Sequence, residues 1–173
     1  MLDIAIAYEN YKFVGYEFLT WLWYAVDNNQ ISMDSLLDKP FILEIGDKAT
    51  LKKISENKNE VISIKGDDPN LEEGLFSLQK GSYVTELNLI YKEDDLKWQF
   101  NLKGESLNIS SLKAPKTGQV YEKGEFEAAT LDKIYLYERI VNLTNQLFEN
   151  FLKLRTSTNW TSKTIPEIKK WLS

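Results

Sequence analysis

The stretch from Phe13 to Trp23 reads Phe-Val-Gly-Tyr-Glu-Phe-Leu-Thr-Trp-Leu-Trp, and it restricts the fold more than any bulk property of the chain. On a helical wheel from Tyr16 to Val26, the apolar residues Phe18, Leu19, Trp21, Leu22, Trp23, Ala25 and Val26 leave no continuous polar face. Such a helix has to be covered on most of its sides, so it belongs in a core or an interface. Trp21 and Trp23 have the π-faces on which nucleobases stack in single-strand binders. Inside an apolar helix, large aromatics serve burial first, and both are expected in the core.

A second landmark lies near the other end. From about Glu125 to Arg155, Tyr137, Ile140, Thr144, Leu147, Phe151 and Leu154 recur in steps of three and four, with Ile134, Val141 and Phe148 beside them. This spacing predicts a helix of about 45 Å, longer than a small sheet covers. Either it kinks between Asn142 and Gln146, or one end projects and packs on another chain.

The segments between read mainly as strands. Phe41 to Ile45 and Ala49 to Ile54 flank Gly46-Asp47-Lys48, which predicts a hairpin. Val61 to Lys65 alternates and ends at Gly66-Asp67-Asp68-Pro69, a turn cluster in which Asp68 or Asn70 would cap the next helix. That helix runs from Leu71 to Lys80 and stops at Gly81. Val84 to Tyr91 and Leu96 to Leu102 pair through Glu93-Asp94-Asp95, and Ser106 to Ile109 continues the meander. Met33 to Leu37 is expected to add one helical turn before Pro40, and Pro166 to Leu172 a short amphipathic helix. The loop holding Pro115 and Gly118 is the one credible linker, and it does not divide the chain. The expected fold class is α+β: one domain, residues 1 to 173, with five or six antiparallel strands and both landmark helices on one face.

Composition then excludes several chemistries. The 173 residues contain no cysteine and no histidine, which removes disulfides, thiolate nucleophiles, histidine-based triads and histidine-centred metal sites together. The first ten residues lack a basic region and carry Asp3 and Glu9, unlike a secretory signal. No apolar run approaches the roughly 20 residues that span a bilayer. A cytoplasmic protein with no membrane partner is expected. Asp67-Asp68 and Asp94-Asp95 fall in turns, where aspartate hydrogen-bonds the local backbone. The acidic-x-Lys triplets Asp95-Leu96-Lys97 and Glu167-Ile168-Lys169 occur in some nucleases but are frequent by chance. No catalytic residue, metal or cofactor is assigned.

The net charge is −5, yet it is unevenly distributed. From Lys153 to Ser173 the cations Lys153, Arg155, Lys163, Lys169 and Lys170 oppose only Glu167, so this segment carries +4 and the rest of the chain −9. A second basic group, Lys48, Lys52, Lys53 and Lys58, lies around the first hairpin. Nineteen lysines and only two arginines, Arg139 and Arg155, favour point contacts to phosphate over bidentate base reading. Lys153, Arg155, Lys163, Lys169, Lys170, Lys48, Lys52 and Lys53 are therefore the candidate nucleic-acid contacts.

The opening string resembles a Phe-Leu-Gly-Arg-Glu-Phe-Leu-Thr-Trp-Leu-Trp-like segment of the recombination-associated RdgC family. So do Leu78-Gln79-Lys80-Gly81 ahead of a strand pair with Trp98 to Leu102, and Ser111-Leu112-Lys113-Ala114-Pro115. At the end, Leu147-Phe148, Phe151, Arg155, Trp160, Ile168 and Trp171-Leu172 are similar to that family's final anchors. The likeness covers the family's later portion only, and its N-terminal region has no counterpart in these residues. Tyr16 stands where the family motif has arginine, and Ser82 where lysine often follows the glycine. The resemblance implies a non-enzymatic protein that binds DNA without sequence preference and acts as a homo-oligomer, with a separate partner bearing the N-terminal region as an alternative. Although members are sometimes described as exonucleases, the residues here favour no nuclease site. An interaction module that keeps the fold without binding DNA is the competing expectation.

Overall fold

The computed structural model describes residues 13–29, 31, 40–55, 58–65, 71–116 and 126–173. The turn expected at Met33 to Leu37, the cluster Gly66 to Asn70 and the Gly118 part of the linker lie outside these residues. The elements are α1 (Phe13–Asp27), β1 (Ile42–Ser55), β2 (Lys58–Lys65), α2 (Leu71–Gln79), β3 (Tyr83–Glu93), β4 (Leu96–Lys103), β5 (Ile109–Lys113), α3 (Phe126–Arg155), a π-helical turn (Trp160–Thr164) and α4 (Ile165–Leu172). The five strands form one antiparallel sheet in the order β2-β1-β3-β4-β5.

Period-two alternation decides which face is buried. Leu87, Leu89 and Tyr91 of β3, Trp98, Phe100 and Leu102 of β4, and Ala49 and Leu51 of β1 all point into the core. There α1 supplies Phe18, Leu19, Leu22 and Trp23, each fully buried, and α3 supplies Ile140, Leu143, Leu147 and Phe151. Phe18 meets Phe148 edge-on at 5.1 Å and Phe151 at 5.5 Å between ring centres. Both landmark helices thus share one face of the sheet, and Trp21 and Trp23 are core residues as expected.

Three differences from the sequence expectation have physical causes. The hairpin expected at Gly46-Asp47-Lys48 is instead a bulge within one long strand: Ile45 pairs Leu89 and Ala49 pairs Leu87, so two extra residues are taken up by β1. Gly46 is the reason, because a Cβ there would stand 1.9 Å from Asn88 Oδ1, so the strand bulges past a polar side chain without turning back. The β1–β2 connection falls after Ser55, and β2 begins at Lys58, three residues earlier than the alternation marked. The last strand is Ile109–Lys113, not Ser106 to Ile109, since Gly104 to Ser106 form the turn and Leu107 takes a positive φ of 55°.

The stop of α2 follows the expectation. Gly81 has φ of 86°, its N–H donates to Leu78 O at 2.9 Å, and Ser82 N–H donates to Ser77 O at 3.1 Å, the paired bonds of a Schellman cap. Helix α3 continues unbroken from Phe126 to Arg155, so its excess length is resolved by projection. Near its middle it is bonded to the sheet hairpin by Trp98 Nε1 donating to Leu136 O at 3.0 Å and Arg139 Nε donating to Glu93 Oε2 at 2.7 Å. The turns before Leu136 extend about 15 Å beyond them.

Candidate nucleic-acid interface

Alternation leaves the second face of the sheet to Glu44, Lys48, Thr50 and Lys52 of β1, Glu86, Asn88, Ile90 and Lys92 of β3, Lys97, Gln99, Asn101 and Lys103 of β4, and Lys113 of β5. No described helix packs on it. At its centre Asn88 is buried beside the bulge, donating to Asn101 Oδ1 at 2.6 Å and accepting from Gln99 Nε2 at 2.9 Å. Asn101 Nδ2 donates to Glu86 Oε1, which also accepts from Lys48 Nζ, each at 2.9 Å. Gln99 Nε2 reaches Asp47 Oδ1 at 3.3 Å. This chain of amides ties β1, β3 and β4 together across the centre of the face.

Two lysines of this face are neutralised, Lys48 by Glu86 at 2.9 Å and Lys92 by Glu44 at 2.7 Å. Among the described residues no ion pair holds Lys52, Lys97, Lys103 or Lys113. Lys97 and Lys103 stand about 20 Å apart along β4, and Lys113 lies opposite Gln99 between them. The geometry is that of an array of point charges on a broad, twisted platform, suited to phosphates at several positions and to no particular base.

The sequence candidates divide between two sides of the molecule. Lys48 and Lys52 are on the platform, while Lys53, next in the alternation, points to the opposite side. Lys153, Lys163, Lys169 and Lys170 are exposed on the helical layer. Arg155 is committed within that layer: its Nε donates to Glu17 Oε2 at 2.6 Å, and its guanidinium lies 5.8 Å from the Trp160 ring. The two basic groups therefore cannot form one surface. Tyr16 packs its ring 4.7 Å from Tyr83, and Ser82 is buried, its Oγ accepting from Ser77 Oγ at 2.8 Å. Neither position points a side chain freely into solvent.

Lys97, Lys103 and Lys113 were missed from sequence, although the signal for two of them was present. Leu96 to Lys103 alternates apolar and polar throughout, which places Lys97 and Lys103 on one face with Gln99 and Asn101. What the sequence lacked was the pairing that sets Lys113 and Lys52 on the same side.

Two further places bear on chemistry. Tyr91, Glu93 and Arg139 form a buried cluster in which the Tyr91 hydroxyl donates to Glu93 and Arg139 Nη2 lies 2.7 Å from Glu93 Oε2. Burial first, then the hydrogen bond and the charge of Glu93, push the Tyr91 hydroxyl well above its ordinary value. For Arg139, burial works against the charge, but the bonds from Glu93 and Tyr91 outweigh it and raise the guanidinium. All three groups are satisfied by one another, which suits a clamp between β3 and α3. A cleft lined by Ala25, Val26, Asn29, Ile31, Phe41 and Leu43 encloses about 20 Å³, room for a water molecule. Among the described residues no group of three or more carboxylates is arranged to hold a metal ion, and no helix is long and apolar enough to cross a membrane.

No protein-family model matches the chain, and no curated protein matches it.

Proposed function

We propose that this chain is a non-enzymatic DNA-binding protein associated with recombination, that it binds without sequence preference, and that it acts as a homo-oligomer in the cytoplasm. The observation that carries the reading is the set of lysines Lys52, Lys97, Lys103 and Lys113, in no ion pair among the described residues and spread over three strands of the sheet face that no described helix covers. Ammonium groups that neutralise phosphates release counterions, and this gives affinity to any duplex. The association with recombination rests on the resemblance to RdgC proteins, and so does the alternative of a separate partner bearing that family's N-terminal region. Anisotropy titrations with unrelated duplexes across a range of salt test it. Four phosphate contacts predict a log–log salt slope of about −3.6 and equal affinities for all sequences. Labelled duplex should remain intact with Mg²⁺ or Mn²⁺ present.

A second reading, a protein-interaction module that has kept the fold and does not bind DNA, is favoured by the net charge of −5 and by the enclosed settings of Arg155 and Ser82. Absence of binding at low salt would select it.

A further inference from the structure

Helix α3 carries two apolar stripes. One holds Leu136, Ile140, Leu143 and Leu147 and faces the sheet. The other starts at Thr130 and steps by four, three and four through Ile134, Tyr137 and Val141, each of which leaves close to half of its surface in water. The same spacing continues through Thr144, Phe148 and Phe151 into the molecule's own core. This is the a and d pattern of a two-stranded coiled coil, exposed from the projecting turns through Val141. With Ile134 and Val141 as a, and Thr130 and Tyr137 as d, Lys133 falls at g and Glu138 at e of the next heptad. These positions meet across the seam when two identical helices run parallel.

Both charges are exposed, and neither has an opposite charge three or four residues away on its own helix. Among the described residues neither is in an ion pair. A second copy in parallel would supply Glu138 to Lys133 and Lys133 to Glu138, once on each side of the two-fold axis. Antiparallel pairing sets g against g, which leaves Lys133 without that carboxylate.

We propose that the N-terminal half of α3 pairs in parallel with the same segment of a second copy, along Thr130, Ile134, Tyr137 and Val141 and flanked by Lys133–Glu138 pairs between copies. The inference rests on the self-association in the reading above and not on its DNA binding. Sedimentation of the full chain without DNA is the test. The expected result is a concentration-dependent shift from 20.1 kDa to twice that mass. Ile134→Ser with Val141→Ser should abolish the dimer and leave the circular dichroism of the fold unchanged, since both side chains are half in water. Lys133→Glu and Glu138→Lys should each weaken the dimer by about tenfold, and the double exchange should restore it. A monomer at every concentration overturns the proposal, whether residues 1 to 12 of the same chain or a different protein then covers the stripe. A dimer that the serine pair leaves intact, or that the double exchange does not restore, overturns it as well. A monomer that still binds duplex would sink the seam alone, and a dimer that binds no DNA would sink only the DNA reading.

Discussion

Gly15 and Gly46 each hold a place that no side chain can take. A Cβ on Gly15 would lie 1.7 Å from the carbonyl oxygen of Gly104, so α1 touches the β4–β5 turn backbone to backbone. Backbone cannot step aside as a side-chain tip can, and Gly15→Ala should destabilise the fold by about 3 kcal/mol, measured by urea unfolding. Gly46→Ala meets a side chain, but one locked by three hydrogen bonds, and should cost about 2 kcal/mol. The sequence displays both glycines without showing what approaches them, because the partners are distant in the chain. Tyr91 adds a pH dependence. Its folded-state pKa is raised above the ordinary value of 10.0, so the unfolded chain loses this proton first. Stability from this residue is therefore complete below about pH 10 and declines as pH rises beyond it. Unfolding midpoints from pH 8 to 11 should fall less steeply above pH 10 in Tyr91→Phe than in the parent, even though the variant starts from lower stability.

Helix α3 is fastened near its middle by Arg139 on Glu93 and at its C-terminal end by Arg155 on Glu17, with Phe148 and Phe151 packed between. The two pairs differ in weight. Glu17 and Arg155 are each more than a third exposed, whereas the side chains of Glu93 and Arg139 retain 7% and 16% exposure. Removing Arg139 takes the counter-charge from a buried carboxylate, so Arg139→Leu should cost about 3 kcal/mol, and adding Glu93→Gln should recover at least half of it. Arg155→Leu should cost less than about 1 kcal/mol. Helix α3 was legible because steps of three and four over many residues have no competing explanation, and α1 because an apolar-rich run of that length exceeds a buried strand. The strand β1 was not, because Gly46-Asp47-Lys48 has the composition of a turn. The pairing of Ile45 with Leu89 and Ala49 with Leu87 shows that the chain passes through it without turning back. Strand β5 was misplaced for a related reason: Leu107 and Ser111 both take positive φ, at 55° and 53°, which β-propensity does not anticipate for such residues.

The molecule carries basic side chains on two sides, and chain position misleads about which lysines share a face. The +4 segment from Lys153 to Ser173 is the denser cluster in sequence, yet it sits on the helical layer. There Trp171 Nε1 donates to Asp27 Oδ2 at 2.7 Å and Tyr24 OH to Glu167 Oε2 at 3.1 Å, so these residues fasten α4 to α1. The platform lysines are dispersed between Lys52 and Lys113, and the strand order is what gathers them. If counterion release governs binding, each neutralised phosphate contributes about 0.9 to the slope of log affinity against log salt. Replacing Lys97, Lys103 and Lys113 with alanine should therefore flatten that slope by about 2.7 and weaken binding to all duplexes alike. None of the three is in an ion pair among the described residues, so unfolding midpoints should stay unchanged. The matching variant at Lys163, Lys169 and Lys170 should leave the slope within about 1 of the parent, because those charges face away from the platform. The opposite ranking would move the interface to the C-terminal segment, and equal losses from both variants would mean that phosphates are met only by diffuse charge.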